Sequence, residues 1–264
     1  MTLKKMRIRL AIAIYSLVFA FLLFNSCANN KVHKNATVKN YTPEQFAKNK
    51  YMSGGSFSKK GDKILYTSDE TGLPAAWAYN INTGEKTLMH SDSVSAVYSL
   101  TLYGDNDNLI YTMNPGGGRA IHIYAKEGND ITNITPGDNV RATWRGVNDD
   151  FSGIYYVSNE RSPRKFDRYE YNFETKTSRP VFQNDTKYST SYNSYDHRYI
   201  LLHESLTEEI TNLHLYDIVN KTSISISPED NDSYFYGKGF SMDNKDVYYL
   251  TNYGSEFAYF EKYN

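Results

Sequence analysis

Hydrolytic chemistry needs an activated nucleophile, and this 264-residue chain offers no G-x-S-x-G elbow to hold one on a strand-to-helix turn. The nearest fragments are Gly55-Ser56 and Gly254-Ser255, both in hairpin-like surroundings. The histidines (His33, His90, His122, His197, His203 and His214) are scattered singly, without H-x-H or H-E-x-x-H spacing, so no metal site and no cofactor is expected. Gly116-Gly117-Gly118 resembles a phosphate loop in composition alone. It joins two strands and has no helix N-terminus to aim amides at an anion. Charge is concentrated in a few loops: Arg161, Arg164 and Asp167 in one, Glu208-Glu209 in a second, Glu256 in a third. A cation in such a loop can engage a peptide carboxylate or pair with a neighbouring acid, and structural pairing is the default reading. A sugar-cleaving site would need a placed pair of carboxylates at strand ends, and none is evident.

What must position these residues is a repeat. One apolar strand core recurs as Ile64-Leu65-Tyr66, Leu109-Ile110-Tyr111, Ile154-Tyr155-Tyr156, Ile200-Leu201-Leu202 and Val247-Tyr248-Tyr249, at intervals of 45, 45, 46 and 47. Tyr79, Tyr124, Tyr171, Tyr216 and Tyr263 keep the same beat. A period of about 40–50 residues filled with short strands is the signature of β-propeller blades. In the first repeat, strands are expected over Met52 to Ser58, Lys63 to Ser68, Ala75 to Ile81 and Lys86 to His90. Gly and Asx residues at the turns supply the positive φ that tight hairpins need. A β-sandwich would show short strands too, but not in groups of four with a fixed phase. The expectation is an all-β fold: blades at about 51–91, 94–136, 139–184 and 187–228, and a partial fifth at 232–264 lacking its outer strand, in an open or incomplete ring.

The ends read differently. Lys4, Lys5, Arg7 and Arg9 precede an apolar run from Leu10 to Phe24, too short for a membrane span of about 20 residues and suited to a signal helix. The lone cysteine, Cys27, follows Ser26 and looks like the acylated cysteine of a bacterial lipoprotein, with residues 1–26 as signal peptide. Phe24 and Asn25 depart from the tightest lipobox pattern. Residues 27–40 form a polar tether. Thr42-Pro43-Glu44-Gln45 carries the marks of a short capped helix. Without residues 1–26 the 29 Lys and Arg fall to 25 against 30 Asp and Glu, a formal net charge of −5 with no basic run. Nucleic acid is not an expected partner. An outer-membrane or periplasmic location follows from the lipoprotein reading.

Three segments support a family resemblance. Tyr41-Thr42-Pro43-Glu44-Gln45-Phe46 with Ser53-Gly54-Gly55-Ser56-Phe57-Ser58 and Ser68-Asp69-Glu70-Thr71-Gly72 resembles the opening of bacterial S9-family (prolyl oligopeptidase family) serine peptidases. Asn159 to Asp167 resembles a loop of their third blade, and Leu250 to Phe257 one of their fifth. The resemblance runs from about Tyr41 to Asn264. It implies an N-terminal propeller that gates the access of short peptides to an α/β-hydrolase domain carrying a Ser, Asp and His triad. That domain is absent from this chain, which therefore reads as a fragment. Some exopeptidases of this family hold a substrate's amino group with paired propeller glutamates. Glu208-Glu209 are such a pair, but their neighbours do not match the motif, and a solvated loop is the expected setting. The other reading is a lipid-anchored, TolB-like or WD40-like propeller that scaffolds cell-envelope proteins.

Overall fold

The computed structural model describes residues 40–148 and 150–264. The signal helix, Cys27 and the tether before Asn40 lie outside the described residues. The chain divides after Asn49 into two units. In the first, helix α1 (Pro43–Ala47) opens with the expected capping box. The Thr42 hydroxyl accepts from the Gln45 N–H at 3.3 Å, and the Gln45 side-chain oxygen accepts from the Thr42 N–H at 2.9 Å. Both bonds satisfy donors that a helix start leaves without partners.

The second unit is built from antiparallel sheets, with nineteen strands among the described residues. Blade 1 comprises β1 (Met52–Phe57), β2 (Lys63–Ser68), β3 (Ala75–Asn80) and β4 (Lys86–His90). Blade 2 comprises β5 (Val97–Tyr103), β6 (Asn108–Met113), β7 (His122–Glu127) and β8 (Asp130–Asn133). Blade 3 has β9 (Ala142–Val147), β10 (Gly153–Ser162), β11 (Lys165–Asn172) and β12 (Thr177–Phe182). Blade 4 has β13 (Ser189–Asn193), β14 (Tyr199–Ser205), β15 (Thr211–Asp217) and β16 (Thr222–Ser225). Blade 5 has β17 (Phe235–Phe240), β18 (Val247–Thr251) and β19 (Tyr259–Tyr263). Within each sheet the strands pair in chain order, a propeller-like arrangement. Gly116–Gly118 joins β6 to β7 as expected, with a single 3-10 turn over Pro115–Gly117.

The two sequence markers turn out to be cross-strand partners. Ile64 faces Tyr79, Ile154 faces Tyr171, Ile200 faces Tyr216 and Val247 faces Tyr263. In blade 2 the pairing is shifted: Tyr124 faces Tyr111, and the two rings stack with centroids 5.2 Å apart. Such pairs are the unit of sheet stabilisation, which is why two markers keep one beat. Most of these tyrosines are buried or half-buried, but Tyr79 is exposed.

Cores form between consecutive blades. Leu65, Ala76, Leu102, Leu109 and Tyr111 join blades 1 and 2; Ile110, Ile123, Ile154 and Tyr156 join 2 and 3. Phe182, Ile200 and Leu202 join 3 and 4; Leu201, Leu213, Phe235 and Tyr249 join 4 and 5. The turns between first and second strands are locked by a recurring side chain. Ser58, Asn148, Ser194 and Ser241 each accept an N–H at or just before the start of the second strand, at 2.8–3.0 Å. Neighbouring turns also bond to one another: Lys63 pairs with Asp107 at 2.6 Å, and the Tyr195 N–H reaches Asn244.

Candidate functional site: a cationic cavity at the first strands of blades 3 to 5

Every first strand carries a register irregularity at the same place in the repeat. In blade 3 Trp144 faces Tyr156 and Gly146 faces Tyr155, which leaves Arg145 without a cross-strand partner. In blade 5 Lys238 is passed over in the same way between Gly237 and Gly239, and in blade 2 Leu100 between Ser99 and Thr101. In blades 1 and 4 the irregular stretch contains Gly55 and Ser191. All five residues precede the second-strand core of their repeat by the same interval: 55 and 64, 100 and 109, 145 and 154, 191 and 200, 238 and 247. A bulge bends the strand and re-aims a side chain, and such irregularities favour functional sites.

Three of these residues, Arg145, Ser191 and Lys238, line a cavity of about 660 Å³ at the first strands of blades 3, 4 and 5. Tyr192, Tyr236 and His203 add to its wall, and Arg168 reaches it from β11. A second cavity of about 490 Å³ shares Arg145 and extends to Arg164 and Lys165. Neither cavity has an Asp or Glu in its lining.

The charge is unusually placed. Arg168 is 5% exposed, yet among the described residues no acid pairs with it and its Nε has no hydrogen-bond partner. Its guanidinium lies 5.0 Å from the centre of the Tyr155 ring, a cation–π contact that offsets part of the desolvation. Burial first, and then the like charge of Arg145, push Arg168 down to about 10. Arg145 is lowered as well, by burial, with Tyr236 and Tyr192 acting the other way. Lys238 Nζ stands 4.5 Å from the Tyr236 ring centre. At about 10, Arg168 is still a cation at neutral pH.

One contact in the cavity resembles a nucleophile and its base. Ser191 Oγ lies 3.1 Å from His203 Nε2. The same nitrogen accepts the backbone N–H of Gly237 at 3.3 Å, and the Ser191 hydroxyl has a second acceptor in the Leu201 carbonyl at 3.4 Å. Burial, with His214 and Lys238 adding to it, pushes His203 down to about 4. A base that weak, its lone pair already engaged, is a poor acceptor for a hydroxyl proton at neutral pH.

Among the charged loop residues singled out from the sequence, Arg161 and Asp167 meet each other. Asp167 is fully buried and takes a two-pronged ion pair from Arg161, and its Oδ1 also accepts the Asn184 N–H at 2.8 Å. Arg161 reaches Asp185 as well. Its pKa is raised by these bonds, Asp167 first. Arg164 is exposed on the β10–β11 turn, at the edge of the smaller cavity. Glu208 and Glu209 lie exposed in the β14–β15 loop and Glu256 in the β18–β19 loop; none of the three lines either cavity. The residues that do line it, Arg145, Arg168, His203 and Lys238, escaped the sequence reading. The interval to the second-strand core was the signal available for Arg145 and Lys238. Among the described residues no three His, Cys, Asp or Glu side chains converge as metal ligands would.

No protein-family model and no curated protein sequence matches the chain. Solved structures do. An oligogalacturonate lyase in complex with manganese is 14% identical and matches with a TM-score of 0.59, over 80% of this chain and 64% of its own. The likeness is one of fold alone, a propeller. TolB from Acinetobacter baumannii (16% identity, TM-score 0.47, 76% of this chain and 51% of that one) and a prolyl endopeptidase (11%, 0.47, 84% and 43%) align more loosely. The chain thus spans 43% to 64% of the length of these three structures. A shared fold assigns no chemistry, which has to be argued from the side chains.

Proposed function

We propose that this chain is a non-catalytic binding propeller, the access-controlling part of an exported S9-type serine peptidase whose hydrolytic domain lies outside these residues. The observation that carries the reading is the cavity at the first strands of blades 3 to 5. It has room for a short peptide but not for a folded protein, polar and aromatic groups to hold one, and a Ser191–His203 contact unfit for hydrolysis. The resemblance of Tyr41 to Phe46, Asn159 to Asp167 and Leu250 to Phe257 to peptidase segments supplies the family. Export and a lipid anchor rest on residues 1–27.

The test uses the purified chain, a blocked pentapeptide without charged side chains, and generic ester and peptidyl substrates. Calorimetry should detect binding of the pentapeptide, with no turnover of any substrate. Turnover that survives purification and is stopped by a serine-directed phosphonate would overturn the non-catalytic reading. No peptide binding, together with stable capture of folded envelope proteins, would favour the TolB-like scaffold instead.

A further inference from the structure

We infer that the cavity formed by Arg145, Arg168 and Lys238 is a binding site for a small ligand bearing two or more carboxylates. This goes beyond the peptidase reading and stands whether or not that reading survives.

The argument begins with cost. A buried cation without a partner is among the most expensive features a fold can carry, and it is rarely kept without compensation. Arg168 is buried, unpaired with any acid, and has a free Nε. Several other cations of blades 3 and 4 are paired with acids. Arg161 is held by Asp167 and Asp185, Arg179 by Glu170, Lys187 by Glu204 and Arg198 by Asp217. Arg145, Arg168 and Lys238, which face the cavity, have no ion pair among the described residues. The chain as a whole has slightly more acids than bases, 30 against 29. A pocket walled by three cations and no carboxylate is therefore a local arrangement, not a reflection of composition.

The geometry also selects the anion. The cations come from three separate strands, β9, β11 and β17, so they address charges spread over a ligand better than one compact ion. Two are guanidinium groups, whose planar fork matches a carboxylate in two parallel hydrogen bonds. No helix N-terminus or glycine-rich loop lines the cavity to cradle a phosphate. Tyr192 and Tyr236 add neutral phenol donors for further oxygens. The volume of about 660 Å³ lies within the usual range of about 300–1,000 Å³ for small-molecule sites.

The experiment is calorimetric titration of the purified chain with citrate, tri-aspartate, tri-asparagine and inorganic phosphate at low salt, repeated at high salt. Citrate and tri-aspartate should bind saturably and more weakly as salt rises. Tri-asparagine and phosphate should bind at least tenfold more weakly. Arg145→Gln and Arg168→Met should each weaken citrate at least tenfold, while Arg179→Gln, outside the cavity, leaves it unchanged. Arg168→Met has a second readout: with no ligand present its melting temperature should equal or exceed that of the parent, since the variant removes a buried charge that no acid neutralises. No saturable binding of citrate or tri-aspartate, or binding untouched by both cavity variants, would overturn the site. Phosphate or tri-asparagine binding as tightly as the carboxylates would overturn the ligand class. A fall in melting temperature for Arg168→Met with unaltered citrate binding would make Arg168 a structural residue only.

Discussion

The backbone N–H of Gly237 donates to Nε2 of His203 at 3.3 Å, tying the first strand of blade 5 to the second strand of blade 4. Ser191 and Tyr236 pack around the same imidazole, the Tyr236 ring edge-on with centroids 4.6 Å apart. The blade interface and the cavity wall are therefore one structure.

Gly237 is glycine for want of space. A Cβ there would stand 2.6 Å from Leu201 Cδ1, 3.2 Å from Leu213 Cδ1 and 3.3 Å from His203 Nε2. Both leucines are fully buried and cannot move aside freely. Gly237→Ala should cost about 1–3 kcal/mol as an overpacked core does. Urea unfolding should show this as a lower midpoint at unchanged slope, and an unaltered midpoint would show that the interface has slack.

His203 makes stability depend on pH. Unfolded, it titrates near about 6.5; folded, near about 4. Between those values the unfolded chain holds a proton that the folded chain does not, so acidification favours unfolding. Stability should be flat in this respect above about 6.5 and fall as pH drops toward 4, by about 3 kcal/mol if the full shift is realised. His203→Gln should flatten the profile between pH 6.5 and 4.5, and an unchanged slope in that variant would assign the effect elsewhere.

Asp167 depends on Arg161. Removing the guanidinium by Arg161→Met leaves a fully buried carboxylate without its ion pair, whereas Asp167→Asn with Arg161→Met removes both charges. The single variant should therefore melt lower than the double variant. Equal melting temperatures would mean that the pair contributes nothing beyond packing.

Cys27 tests the export proposal. Cys27→Ser should leave the precursor unprocessed or release the protein from the membrane fraction. Normal cleavage and unchanged fractionation of the variant would refute the lipid anchor.

The fold was more legible than the site, for physical reasons. Strand cores must be apolar and must recur with the repeat, so Ile64, Leu109, Ile154, Ile200 and Val247 announce themselves, and the cross-strand tyrosines follow. Arg168 gives no such notice. It sits between Asp167 and Tyr169 in a polar stretch that reads as loop-edge surface, and only packing against the Tyr155 ring reveals its burial. Arg161 and Asp167 drew attention through their types and then proved to satisfy each other. His203 looked like one of several scattered histidines, because its partners Gly237 and Ser191 come from different strands, one of them in the next blade.

The bulge position has an evolutionary consequence. A residue skipped by the ladder takes no direct cross-strand partner, so exchanging its side chain leaves the sheet's pairing intact. This chain already displays glycine, leucine, arginine, serine and lysine at that one position of the repeat. Three of the five, Arg145, Ser191 and Lys238, are dials that face one cavity: their side chains can be reset a single codon at a time while the casing that holds them stays the same.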